Sequence, residues 1–186
     1  MKNDPLKVEP LLQQAREMTK PRARGGQQVI ALVIAIALPL LTGALGAVAT
    51  NRSLATWYRS LRKPSFNPPS WVFGPVWTML YVLMGIASWL GWQQGGSQGA
   101  RFGWLRGRPK PVRGALTLYG LQLVTNLAWS WLFFGWRRVD LALANLGVLW
   151  GLLLATLVRF WQIRPLAGWL LTPYQLWISF AAVLNL

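Results

Sequence analysis

At 186 residues, 54% hydrophobic and 12% charged, the chain has room for one compact domain, and its apolar residues fall in long blocks of the kind that cross a bilayer. Its 19 Lys and Arg against 4 acids lie in the short connections between those blocks and form no groove-sized patch, which argues against nucleic acid as a partner. The absence of Cys and His removes disulfides, thiolate nucleophiles, zinc sites and imidazole acid/base chemistry, and Asp140 alone among the acids lies outside the N-terminal tail, so no carboxylate pair is available for catalysis.

Residues 1–28 form a polar tail with both charge signs and without the short apolar core of a secretory signal, so the tail is expected to stay on the mature protein. Val8, Leu11, Leu12 and Ala15 have the spacing of a weak amphipathic helix for an anionic leaflet, while the composition fits a disordered tail equally well. Arg22, Arg24, Gly25 and Gly26 punctuate the change to a membrane domain over residues 29–186.

Val29–Ala49 is the first expected span. A basic loop rich in aromatic residues and proline follows, with Trp57, Tyr58, Lys63, Pro64 and Phe66, and Leu54–Leu61 has the character of a short surface helix lying flat at the interface. Asn67 before Pro68 and Pro69 reads as a helix start, with Asn as N-cap and Pro in the first turn. Ser70–Trp92, Val112–Phe134, Val139–Ile163 and Leu166–Leu186 complete the set, each about 20 to 25 residues and so able to cross the hydrocarbon layer. Pro75 is placed to bend the second of them or loosen its first turns. The fold class is therefore an all-α integral membrane protein, a five-transmembrane-helix bundle with a long aromatic and Pro-rich loop between helices 1 and 2.

Basic residues set the orientation, because positively charged short loops stay on the cytoplasmic face. With the N-terminus inside, that face takes the tail, the segment from Arg101 to Arg113, and Arg159 with Arg164; the outside keeps Arg52, Arg59, Arg62, Lys63, Arg137 and Arg138. A bacterial inner membrane fits this asymmetry, with outer or organellar membranes as alternatives.

Of the 13 tryptophans, Trp57, Trp71, Trp89, Trp92, Trp104, Trp136, Trp161 and Trp169 fall near span ends and fit an interfacial belt. Trp77, Trp129, Trp131, Trp150 and Trp177 fall deeper, where an indole N–H wants a partner. Helical spacing puts Trp77, Tyr81, Met84 and Ser88 on one face of the second span. Gln122, Asn126, Trp129 and Phe133 share a face of the third, and Tyr174, Trp177, Ala181 and Leu184 one of the fifth. Carboxamides in mid-membrane must face the interior and find partners, either as interhelical bonds of about 1 kcal/mol each or as ligand contacts. Three such faces converging would enclose an aromatic-walled pocket for a flat apolar molecule, with Arg59, Arg62 or Lys63 available at its mouth for carboxylates. Small residues at Gly43 and Ala47, and at Gly147, Gly151 and Ala155, allow close helix approach, within one bundle or in a homodimer.

The run WYRSLRKPSFNPPSWVFGPVWTMLY at Trp57–Tyr81 resembles the signature of the tryptophan-rich sensory protein family, TspO, also called the translocator or peripheral-type benzodiazepine receptor family. QLVTNLAWSWLFFG at Gln122–Gly135 resembles the family's third-helix pattern and PYQLWISFAAVLN at Pro173–Asn185 its fifth, so the likeness covers about residues 29 to 186. It implies a five-helix membrane protein, often dimeric, that binds porphyrins, sterols and synthetic isoquinoline and benzodiazepine ligands beneath the first loop. Trp77, Asn126, Trp129, Trp177, Ala181 and Leu184 match its pocket positions, with Trp57, Tyr58, Lys63 and Pro64 in the cover. Leu141 stands where animal members carry another Trp, and the Tyr and basic residue of their proposed cholesterol motif do not occur before Leu186.

The function expected on these grounds is binding and sensing of tetrapyrroles such as protoporphyrin IX and other flat hydrophobic ligands, tied to tetrapyrrole regulation and stress response. No cofactor is obligatory, and the expected partners are the small ligand, membrane lipids and a second copy of the chain. Without His or Cys, heme would have Tyr or Met as its axial ligands, which favours a metal-free porphyrin. Light-dependent porphyrin degradation and transport of porphyrin or sterol-like lipids are the alternatives; transport is disfavoured by the lack of an internal repeat or membrane-embedded acid.

Overall fold

The computed structural model describes residues 23–54, 57–60, 64–94 and 110–184, which are almost entirely helical, with no strand among them. Five long helices carry the chain: α1 (Ala23–Leu54), then the single turn α2 (Trp57–Ser60), α3 (Ser70–Gln93), α4 (Lys110–Ser130), α5 (Val139–Ile163) and α6 (Pro165–Leu184). By its contacts the chain divides into Met1–Ala31, of which residues 23–31 are helical, and Leu32–Leu186, which holds everything described below.

The helices α1, α3, α5 and α6 are long and apolar enough to cross a membrane. The expected third span is present as α4, yet it falls short on apolarity because Lys110, Arg113, Thr117, Gln122, Thr125 and Asn126 lie along it. The expected short helix at Leu54–Leu61 is reduced, among the described residues, to Trp57–Ser60. Residues 55–56 and 61–63 of the first loop lie outside the described residues.

Asn67 does not cap α3. Its backbone N–H donates to the Pro64 carbonyl at 3.0 Å and its side-chain amide donates to the Pro68 carbonyl at 3.0 Å, which closes a turn over residues 64–67. Each proline restricts the residue before it to extended geometry, so the helix cannot begin until both are passed. Pro69 sits extended at φ −54°, ψ 142° and α3 starts at Ser70.

The end of α4 holds a feature that spacing alone does not announce. From Trp131 to Gly135 the helix widens into a π turn, closed by a hydrogen bond from the Trp136 N–H to the Trp131 carbonyl at 2.8 Å and from the Arg138 N–H to the Leu132 carbonyl at 3.0 Å. Arg137 takes the left-handed position of this closure, φ 57°, where glycine is usual. Asp140 then lies in the first turn of α5, favourable for an acid, and accepts two hydrogen bonds from Arg138 at 2.9 and 2.6 Å.

A single residue, Arg164, joins α5 to α6, in extended geometry and followed by Pro165 at the first helical position, where its missing N–H is no loss. Its guanidinium donates to the Gln93 side-chain carbonyl at 3.1 Å, tying that corner to the end of α3. The core forms where α5 packs between α4 and α6 and where α3 packs on α6. Leu80, Met84, Tyr119, Leu146, Leu153, Phe160, Leu171 and Tyr174 are buried there.

Residues of α1 reach the bundle through two glycines. A Cβ on Gly85 would lie 2.6 Å from the Ile36 Cα and 2.8 Å from the Ala35 carbonyl oxygen, and a Cβ on Gly43 would fall inside the Tyr81 ring. Gly43 therefore serves packing within the bundle, whereas Gly147 and Gly151 face open space.

Candidate functional site

Asn126 is the centre of a buried polar bridge. The Tyr81 hydroxyl on α3 donates to its Oδ1 at 3.0 Å, and its Nδ2 donates to the Tyr174 hydroxyl on α6 at 2.7 Å. One carboxamide on α4 thus holds three helices in register, with both ends of the amide satisfied and 2% of the residue exposed. One turn earlier, Gln122 is fully buried and its Nε2 has only a long contact of 3.7 Å to the Met84 sulfur, while its Oε1 has no partner.

Around this bridge the aromatic residues lock together. Trp77 stacks on Tyr81 at 5.4 Å and 29° and meets Tyr174 edge-on at 5.9 Å. Trp129 stacks on Phe133 at 5.1 Å and 14°, an overlap made as α4 passes into the π turn. Phe133 continues outward to Trp57 at 5.4 Å and Tyr58 at 6.4 Å, and Tyr58 also meets Phe134 at 5.7 Å. The α2 turn is therefore seated on the π turn. Burial there pushes the Tyr58 hydroxyl up from its ordinary pKa, partly offset by its hydrogen bond with Asn67.

Trp77, Asn126, Trp129, Leu146, Leu149, Ile178 and Ala181 line one cavity of about 10 Å³. That is room for a single water at most, so the pocket is closed by its own side chains. The Trp129 indole N–H is buried and finds no acceptor among the described residues. Such a donor in an apolar wall carries a desolvation cost until something accepts from it.

The residues selected from sequence separate into layers. Trp77, Asn126, Trp129 and Ala181 line the cavity; Tyr81, Gln122 and Phe133 support it from behind, and Trp57 and Tyr58 cover the π turn. Trp177 does not line it, but packs on Phe73 at 5.8 Å and on Phe180 at 5.8 Å. Pro64 is half-buried in the turn closed by Asn67, and Leu184 is the last described residue of α6, away from the cavity. Lys63 and Arg62 lie outside the described residues.

Leu146, Leu149 and Ile178 were missed. The α5 wall is aliphatic and carries no polar or aromatic signal, although Leu146, Leu149 and Leu153 repeat at helical spacing. Among the deep tryptophans, Trp150 finds its partner in the Ser179 hydroxyl at 2.9 Å, and Trp131 is exposed rather than interior, on the face of α4 that also exposes Leu121 and Val124. No cluster of metal-ligating side chains occurs among the described residues. What remains for chemistry is stacking, indole and phenol hydrogen bonding, and the electron-donating character of the rings.

A family model described as the TspO/MBR family matches residues 35–186. The Tryptophan-rich protein TspO of Chlorobaculum tepidum is 35% identical over 161 residues, covering 86% of this chain and 94% of that protein. The Translocator protein of Bos taurus is 40% identical over 148 residues, 80% of this chain and 82% of its own length. The Tryptophan-rich sensory protein of Cereibacter sphaeroides is 39% identical over 145 residues, 76% of this chain and 82% of its own.

Proposed function

The chain belongs to the TspO/MBR family of integral membrane proteins, and on that premise we propose that it binds and senses protoporphyrin-like tetrapyrroles and other flat apolar ligands, in tetrapyrrole regulation and stress response. The observation that carries this reading is the cavity lined by Trp77, Asn126 and Trp129, with the Trp129 N–H finding no acceptor among the described residues. Two indole walls fit a planar macrocycle, and the N–H and the amide can orient its polar edge.

The closed cavity implies that the ligand opens its own site. Ligand pockets usually hold about 300 to 1,000 Å³, so Trp77 must leave Tyr81 and Trp129 must leave Phe133 to restack on the ligand faces. Each aromatic contact is worth about 0.5 to 1.5 kcal/mol beyond area burial, so exchanging ring on ring for ring on macrocycle is nearly balanced. The area buried by the ligand then tips it. Lys63, with Arg59 and Arg62, supplies cations for ligand carboxylates in this scheme, and the absence of His and Cys favours the metal-free macrocycle over heme.

Absorption titration with protoporphyrin and with heme tests the reading. A Trp77→Phe/Trp129→Phe double variant should bind protoporphyrin about tenfold more weakly, from the loss of the Trp129 N–H donor and of ring area on both indoles. Undiminished binding would remove the site.

The stacking of Trp77 on Tyr81 and of Trp129 on Phe133 favours a second reading, in which an indole beside the excited porphyrin exchanges an electron with it and dissolved dioxygen, as the terminal oxidant, takes the pigment to degradation in light. Bleaching no faster than with a Trp-matched inert membrane protein would reject it.

In the same proposal α4 also spans, bringing the number to five, its carboxamides Gln122 and Asn126 turned to the interior, and the N-terminus lies on the cytoplasmic side of a bacterial inner membrane. The open faces of Gly147 and Gly151 suit a homodimer contact. A cysteine placed at Asn51, in a chain with none of its own, should react with an impermeant reagent from the outer face.

A further inference from the structure

A second cavity, of about 240 Å³, opens where α1 ends against the π turn, lined by Ala49, Arg52, Ser53, Trp131, Phe134, Gly135, Trp136 and Arg137. Its floor is fixed: the Ser53 hydroxyl, buried to 4%, donates to the Phe134 carbonyl at 2.6 Å and joins the two segments. Its rim carries two exposed guanidinium groups and two exposed indoles.

Charge arithmetic makes the rim unusual. Asp140 is the only carboxylate residue among the described residues, and Arg138 holds it in a bidentate pair. Arg52 and Arg137 make no ion pair among the described residues, so nothing there supplies their counter-charge. Arg137 also keeps a left-handed backbone that glycine would hold without strain. The helix ending therefore explains the conformation but not the arginine.

What lies beyond the arginines selects the kind of anion. Leu38, Leu41, Leu45 and Val48 are exposed and share one face of α1 that ends at Arg52. Leu121 and Val124 are exposed on α4 at helical spacing from Trp131. A small inorganic anion would use the arginines and leave both apolar stripes unused. An amphiphile uses both, with the indoles at the level where headgroup and acyl chain meet.

We infer that this cavity holds the phosphate headgroup of an anionic phospholipid, between Arg52 and Arg137, with its chains along the exposed stripes of α1 and α4. The site is independent of the Trp77 and Trp129 cavity, shares no lining residue with it, and stands whatever that cavity binds.

Native mass spectrometry of the full chain released from mixed micelles, with phosphatidylglycerol and phosphatidylcholine as probes, tests it. Wild type should retain one phosphatidylglycerol in preference to phosphatidylcholine. Arg137→Gly and Arg52→Gln should each lower that retention about fivefold, the usual worth of one basic side chain at an anionic headgroup. Arg137→Gly should at the same time keep or raise the thermal midpoint, because the backbone strain is relieved. Arg113→Gln, which removes a charge away from the cavity, should change nothing. Equal loss in Arg113→Gln would overturn the inference in favour of diffuse surface charge, and full retention in both Arg137→Gly and Arg52→Gln would overturn it outright. Displacement of the lipid by inorganic phosphate at matched concentration, or by protoporphyrin through its carboxylates, would assign the arginines to a different anion and equally overturn it.

Discussion

The two cavities of this molecule solve opposite problems with the same residue type. The inner one, around Trp77, Asn126 and Trp129, is neutral, about 10 Å³ and closed by stacked rings. The outer one, around Arg52, Trp131 and Arg137, is cationic, about 240 Å³ and open. Indoles in the first place stack on neighbouring rings, Trp77 on Tyr81 and Trp129 on Phe133; indoles in the second sit exposed at the rim. Tryptophan content by itself therefore says little about a site. The decisive difference is what stands beside the ring: a shared carboxamide bridge in one case, unpaired guanidinium groups in the other.

The largest effect should come from breaking the bridge that shapes the inner cavity. Asn126→Leu removes both hydrogen bonds and leaves the Tyr81 and Tyr174 hydroxyls buried without their partner. It should cost about 2 kcal/mol of stability, read as a lower thermal midpoint in nanodiscs, with porphyrin affinity falling in parallel and lipid retention at Arg52 and Arg137 unchanged. Equal loss at both cavities would show that they are not independent.

Next in size is Gly85→Ala, which drives a methyl group into the α1 backbone at Ile36 and should cost about 1 to 3 kcal/mol through overpacking. Its effect should reach both cavities, since α1 supports Tyr81 through Gly43 and supplies Arg52 to the outer one. Salt sharpens the contrast further. Raising ionic strength should weaken lipid retention at the exposed arginines more than porphyrin binding, whose salt dependence comes only from Arg59, Arg62 and Lys63 at the ligand carboxylates. The smallest effect belongs to Asp140→Asn. The pair it breaks is fully exposed, so the thermal midpoint should not move measurably, but the freed Arg138 should add to anionic lipid retention near Arg137.

Much of the inner site was legible because its signals are local. Trp77 with Tyr81, and Asn126 with Trp129, lie three or four residues apart on one helix, and a carboxamide in a long helix of a membrane protein has few places to go. Trp177 shared the same pattern and yet faces Phe73 and Phe180, because spacing gives the face of a helix but not which neighbour that face meets. The α5 wall was silent for lack of a polar residue. Asn67 read as a cap because the local sequence permits it, while the two prolines that follow postpone the helix. The π turn at Trp131–Gly135 was out of reach, since α2 and Ser53 meet it through contacts between segments far apart in sequence. The outer cavity depends on that turn and was invisible with it.

Indole N–H resonances of nitrogen-labelled protein, assigned by single Trp→Phe variants and followed during protoporphyrin titration, observe both cavities at once. Trp77 and Trp129 should shift strongly as the macrocycle ring current reaches them and the Trp129 N–H gains an acceptor, while Trp136 at the outer rim stays in place. Movement of Trp136 with Trp77 and Trp129 unmoved would contradict the inner site and assign the pigment to the arginines instead.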